Sequence, residues 1–388
     1  MKKQRKLLLF YLTLILVNMG LNIAHPATPA FLKSLNLGDY VFGLAYATMA
    51  FFNFSTSLTW GSFSSRYRIS TLLLISSVIY GLAQFLFGTA TSVIAIVFAR
   101  ALAGISASSF SILPINYLIS VSSRHERLSN ITIASVLTAV SASLGYLLGG
   151  LLAEVSLLFV FIIQTLWMVM VGIVFYFVLN QKQTLTKSSL RFEDFNPFRI
   201  FSKARKILNP TAVRFFWIVF IVWIAATIFD SSFNYYIKDV FDFPPKVNGY
   251  IKALIGILAL LINSFLTLRL LKKFKLTTVN RILYALLVVS SMLVLWVVKP
   301  QLFIFVSFIY FMFNSMVLPI QQNTVSALYE DASEISLSMG YFNAVKMLGS
   351  VVGSLSAGFL YELRPIYPFV LTTVLFSFVL LLTMDRLD

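Results

Sequence analysis

The sequence predicts an all-α integral membrane protein: twelve transmembrane helices in two pseudo-symmetric six-helix bundles, with both termini cytoplasmic. Three observations predict it. Only 11% of the 388 residues are charged, against 59% hydrophobic, whereas a soluble domain carries about 25% charged residues. Apolar runs of about 20 residues, the length that spans a bilayer, recur along the chain. Short matches between the two halves recur at a nearly constant offset.

The spans follow in order. The run 7–30 comes after "MKKQRK". It is longer than the apolar core of a secretory signal, and eleven more runs follow, so it is expected to stay as the first span. Runs at 41–60, 70–88, 93–120, 130–153 and 157–179 complete a first set of six. After a polar break the pattern resumes at 212–237, 247–270, 280–298, 302–328, 337–361 and 366–384. With the N-terminus inside, 22 of the 30 Lys and Arg fall on the inner side, 5 in outer loops, and 3 (Arg100, Lys252 and Lys346) within spans. Cytoplasmic loops carry the excess of Lys and Arg, so the chain is expected to be a multi-pass protein of the cell membrane.

The same counts exclude other classes. The formal charge of +16 sits at span ends, which points to the bilayer surface and not to nucleic acid. There are no cysteines, so disulfides and thiolate metal sites are excluded. No nucleotide loop of the Gly-x-x-x-x-Gly-Lys type is present. The two histidines are His25 and His125, the second in the loop "SSRHERLSN", and no nucleophile–base set or carboxylate metal cluster falls inside the spans. Neither enzyme chemistry nor a cofactor is expected.

The predicted divisions are 1–180, an N-terminal bundle; 181–211, a cytoplasmic linker; and 212–388, a C-terminal bundle. In the linker, "NPFRIFSKARKILNP" reads as a short amphipathic helix. Asn196 is its expected cap and Pro197 its first residue. Phe198, Phe201, Ala204 and Leu208 fall on one face, while Arg199, Lys203, Arg205 and Lys206 offer cations to anionic lipid. Between the halves, "SILPIN" (111–116) matches "MVLPIQ" (316–321), Gly43 matches Gly249, and "GYLLGGLLAE" (145–154) matches "GSLSAGFLYE" (353–362), at offsets of 205, 206 and 208. Internal repeats with sites near the midplane are the architecture of secondary transporters.

With these residues in place, the chain resembles the major facilitator superfamily and, within it, the twelve-helix drug:proton antiporters. The family's loop signature Gly-x-Leu-Ala-Asp-Arg-x-Gly-Arg stands here as "GSFSSRYRI": Gly61 and Arg66 match, Ser65 replaces the aspartate, and Arg68 replaces a glycine. The fourth-span arginine–glycine pair stands as Arg100 and Gly104. The antiporter signature Gly-Pro-x-x-Gly-Gly stands as "GYLLGG", with Gly145, Gly149 and Gly150 matching and Tyr146 in place of the proline. The resemblance implies an alternating-access carrier driven by the proton gradient. It also implies that Arg66 and Arg68 take part in a gate, loosened here by Ser65, and that the fifth and eleventh spans cross where the halves meet. Plain positive-inside arginines and ordinary tight packing are the alternative readings.

Candidate site residues come from polar groups inside the spans. Asp230 is the one acid well within a span, about 10 Å from its outer end at 1.5 Å per residue. An ionisable group at a helix centre costs about 2.5–3.5 kcal/mol, so a partner is expected. Lys252, at similar depth on the next span, is the expected one. The pair either exchanges protons during transport or is static. Asn18, Asn22 and His25 make a polar stripe on the first span, with Pro26 and Pro29 bending the helix beyond it. His25 is either a titrating group or a satisfied hydrogen-bonding residue. Thr227, Ser231 and Asn234 repeat the stripe on the seventh span. Arg100, with Gln321 and Gln322 beyond Pro319 and Asn116 beyond Pro114, is a further cavity candidate; Lys346 and Asn343 share roughly one polar face of the eleventh span with Ser350 and Ser354, Lys346 either lining the cavity or snorkelling towards the cytoplasm; and Trp223, Tyr235 and Tyr236 suit apolar parts of a cargo. Three interior cations against one anion favour neutral, zwitterionic or anionic amphiphiles. The expected function is export of such small molecules by a monomer, with uncoupled facilitation or uptake of an organic anion or metabolite as the alternative.

Overall fold

A computed structural model describes residues 2–122, 126–179 and 195–384, and every regular element among them is helical. His125 and most of the linker lie outside the described residues. The elements are α1 (Lys2–Asn22), α2 (Thr28–Ser34), α3 (Tyr40–Ser64), α4 (Ile69–Gly88), α5 (Val93–Val121), α6 (Arg127–Leu152), α7 (Leu157–Val178) and α8 (Arg199–Ala204). They continue as α9 (Pro210–Asp239), α10 (Pro245–Ile262), a π-helical turn (Asn263–Thr267), α11 (Leu268–Lys273), α12 (Leu276–Leu295), α13 (Pro300–Ala327), α14 (Ala332–Leu363) and α15 (Tyr367–Met384). Eleven stretches among the described residues are long and apolar enough to cross a bilayer, and Leu7–Asn22 is apolar but shorter.

Three predicted elements differ from the structure, each for a local reason. The first run does not bend but breaks: α1 stops at Asn22, residues 23–27 form turns, and α2 restarts with Pro29 in its first turn. Pro26 has no N–H for the carbonyl of Asn22, and its ring would clash with that carbonyl if the helix ran on. The run 247–270 is not uniformly α-helical, because the π-helical turn interrupts it. Pro319 inside α13 deprives the Ser315 carbonyl of its helical donor, and Asn263 Nδ2 from that turn donates to it at 3.2 Å. The linker helix α8 is six residues long, with Phe198 and not Asn196 at its N-cap.

Helical contacts divide the chain into two compact units. The first comprises residues 1–37, 51–197 and 242–256; the second comprises residues 38–50, 198–241 and 257–388. The two units therefore exchange the starts of α3 and α10 relative to the halves of the sequence. In the first unit α4 packs on α5 and α7, and α1 packs on α6 and α7. In the second, α9 packs on α14 and α15, and α12 packs on α13 and α15. The core of the second unit is aromatic: Phe229 stacks on Tyr310 at 3.6 Å and lies edge-on to Phe311 and Phe369. The C-terminal end of α15 leaves carbonyls without helical donors, and two arginines bond them. Arg214 donates to Leu382 O, and Arg281 Nε donates to Thr383 O at 2.7 Å.

Candidate functional site

In the second unit, α9 carries Asp230 nine residues before its end. Asp230 is half-buried. Its backbone carbonyl accepts from Asn234 Nδ2 at 2.7 Å, and in the same unit Tyr310 is fully buried with no hydrogen-bond partner for its hydroxyl. Asn234 is buried, and its Oδ1 is also unpartnered. Thr227, one turn earlier on the helix, donates to Ser350 Oγ of α14 at 3.1 Å.

Lys346 of α14 lies on the same side of this unit as Trp223. Its Nζ sits 5.1 Å from the centroid of the Trp223 ring, a cation–π distance. It makes no ion pair with a described carboxylate. The indole is fixed from the other direction: Trp223 Nε1 donates to Gln321 Oε1 at 2.9 Å, and Gln321 Nε2 donates to Tyr284 Oη at 3.3 Å. Gln321 is fully buried. The expected polar face of α14 thus splits. Lys346 and Ser350 find partners on α9, whereas Asn343 is exposed. Tyr235 is not free for cargo, because its hydroxyl is bonded to Asp39 (2.6 Å).

In the first unit the polar stripe is shorter than expected. Asn18 Nδ2 and Asn22 Nδ2 turn back onto the carbonyls of Leu14 and Asn18, each at 2.8 Å. His25 leaves the stripe, because the helix has already ended; it lies in the turn with its ring 5.5 Å from that of Tyr146. Asn18 borders a cavity of about 250 Å³ with Phe110, Ser111 and Pro114 of α5 and Ser135 and Thr138 of α6. Arg100 is not on that wall. It is buried, with its guanidinium carbon 3.6 Å from the Phe87 ring centroid and Nη2 3.4 Å from Thr28 Oγ1. Lys252 is buried in the first turns of α10, also within this unit. In the arginine loop, Arg66 Nη1 donates to Ser62 O at 3.0 Å, Ser65 Oγ donates to the same carbonyl at 2.9 Å, and Arg68 is exposed at the N-cap of α4. Gly104 is buried on α5.

The signature glycines have distinct settings. A Cβ at Gly145 would run into the Met19 carbonyl of α1, and one at Gly149 into the Ile23 carbonyl just past the end of α1, so both serve packing within the first unit. Gly150 faces another element: its added Cβ would lie 3.0 Å from Gly249 Cα of α10. Nothing lies near a Cβ placed on Gly61. In the second unit Gly349 and Gly353 meet the Phe220 and Ile224 carbonyls of α9, and Gly358 meets Gly43 of α3. By contact, Gly145 and Gly149 therefore correspond to Gly349 and Gly353, one helical turn away from the sequence match.

Acids at span ends, outside the intramembrane groups that the sequence reading singled out, are engaged here. Tyr361 Oη donates to Asp239 at 2.9 Å, the Tyr40 N–H donates to Glu362 at 2.9 Å, and Lys246 pairs with Glu154 at 2.8 Å. The signal was present in the repeat, which aligns Glu154 with Glu362. Glu362 and Glu154 hold the starts of α3 and α10, where the glycine contacts also occur.

Comparison with known proteins agrees with this architecture. The profile of the Major Facilitator Superfamily matches residues 10–354. Multidrug resistance protein 2 of Bacillus subtilis (strain 168) is 21% identical over 357 residues, covering 90% of this chain and 87% of that protein. The quinolone resistance protein NorA of Staphylococcus aureus (strain COL) is 21% identical over 376 residues, covering 94% and 92%. Among solved structures, a bacterial homologue of the human lysosomal transporter Spinster superposes with a TM-score of 0.79 at 12% identity, over 98% of this chain and 97% of that one. A D-xylose–proton symporter superposes with a TM-score of 0.74 at 14% identity, over 98% of each.

Proposed function

The chain belongs to the Major Facilitator Superfamily, and from that premise we propose that it is a secondary active transporter that exports small amphiphilic compounds in exchange for protons. It crosses the cell membrane twelve times in this reading, α1 with α2 forming the first crossing and both termini facing the cytoplasm. The drug-resistance relatives support export. The observation that carries coupling is Asp230, an ionisable group that is only half-buried inside a 30-residue apolar helix. In this reading the Asp230 carboxylate takes up and releases one proton in each transport cycle.

Cargo choice follows from the cations. Lys346, held over Trp223 without a described carboxylate, suits an anionic or strongly polar group on a molecule whose apolar part lies against aromatic rings. The test compares Asp230→Asn, Lys252→Met and the double variant in transport assays. Loss of uphill export in Asp230→Asn, with downhill exchange retained, supports coupling through this carboxylate. Full uphill export by both single variants removes it from the mechanism. The second reading, uncoupled facilitation of an organic anion or metabolite, is favoured by Ser65, which supplies a hydroxyl bound to Ser62 where the family carries a carboxylate.

A further inference from the structure

We propose that the groove beneath α8 binds one anionic phospholipid, with an acyl chain in the groove and the headgroup phosphate on the cations of α8. The inference does not rest on the transport reading. A cavity of about 250 Å³ lies in the second unit, walled by Phe201 of α8, Trp217 and Phe220 of α9, and Tyr341, Val345 and Leu348 of α14. No charged side chain lines it. α8 is fixed as one wall: Phe201 meets Tyr341 edge-on at 5.1 Å, Ala204 is fully buried, and Ile200 covers Gly340. Trp217, 60% exposed on α9, marks the open side. It lies two turns into that helix, where tryptophans gather at the membrane–water boundary.

Charge commits the groove to one occupant. Lys203, Arg205 and Lys206 are exposed along the last turn of α8 and just past its end. They form no ion pair with another described residue, and α8 itself carries no acid. An apolar slot that opens sideways beside three unneutralised cations fits an acyl chain joined to an anionic headgroup. A neutral lipid would leave the cations idle, and a soluble anion would leave the slot empty. Each cation close to an anionic lipid surface is worth about fivefold in affinity.

The test is native mass spectrometry of the full chain in detergent, mixed with equal amounts of phosphatidylglycerol and phosphatidylcholine of identical acyl chains. The expected result is one retained phosphatidylglycerol. Its preference over phosphatidylcholine should fall about a hundredfold in Lys203→Gln/Arg205→Gln/Lys206→Gln. Val213, on α9, also lines the groove, and Val213→Trp, which fills it, should abolish retention of either lipid. Val374→Trp, on the exposed face of α15, should leave retention unchanged, and a thermal melt confirms that each variant is folded. Equal retention of the two lipids by the unmodified chain overturns the proposal, as does unchanged retention in folded Val213→Trp. Displacement of the lipid by transported amphiphiles also overturns it, because the groove would then be an entry path for cargo.

Discussion

Lys346 is a cation in a membrane-spanning helix with an indole face, and no described carboxylate, for company. A cation–π contact offsets about 2 kcal/mol when desolvated, which leaves capacity for an anion from outside the protein. Lys346→Met is expected to lower transport of an anionic amphiphile about tenfold or more, the worth of one charge-assisted hydrogen bond, with a neutral analogue changed less than twofold. Lys346→Arg should retain most of the anion transport. Initial rates of the two analogues in vesicles decide it, and an equal loss for both would show Lys346 to be structural. The sequence made Lys346, Gln321 and Trp223 visible as polar or aromatic interruptions of apolar runs. It left unseen that Gln321 bridges Trp223 to Tyr284, because the three residues stand on three helices. His25 failed for the opposite reason: the helical spacing that placed it on a stripe assumed a helix that ends at Asn22.

At the scale of elements, the repeated glycines decide which helices approach. Gly149 faces the Ile23 carbonyl, a backbone atom that cannot swing aside, whereas Gly61 faces open space. Gly149→Ala is therefore expected to destabilise the folded protein by about 1–3 kcal/mol, the usual cost of overpacking. Gly61→Ala should be neutral or stabilise by up to about 1 kcal/mol, since alanine is the better helix former. Melting of the purified variants in one detergent measures both. Helix existence was legible because an apolar run of bilayer length has few alternatives. The break after Asn22 was half legible, through Pro26 and Pro29. The π-helical turn at Asn263–Thr267 was not, since it answers the Ser315 carbonyl on α13, 52 positions away from Asn263 and freed by Pro319.

At the scale of the whole molecule, the orientation rests on where 30 cations fall, and the chain itself offers a clean probe because it contains no cysteine. Thr91→Cys, in the exposed turn between α4 and α5, should react with a membrane-impermeant maleimide applied outside intact cells. Ser202→Cys, exposed on α8, should react only after permeabilisation. The reverse pattern would invert the topology. The offsets of 205 to 208 pointed to a two-bundle plan, but they gave no sign that the starts of α3 and α10 exchange between compact units, since that depends on Gly43 meeting Gly358 and Gly249 meeting Gly150.

The central claim is that cargo leaves in exchange for protons through Asp230. Its most direct test is proton movement in proteoliposomes loaded with a pH-sensitive dye, with an anionic amphiphile added under an imposed pH gradient. The account predicts proton flux that begins on addition of cargo, runs opposite to it, and disappears in Asp230→Asn. Cargo flux that proceeds at an unchanged rate with no proton movement in the unmodified protein would contradict it.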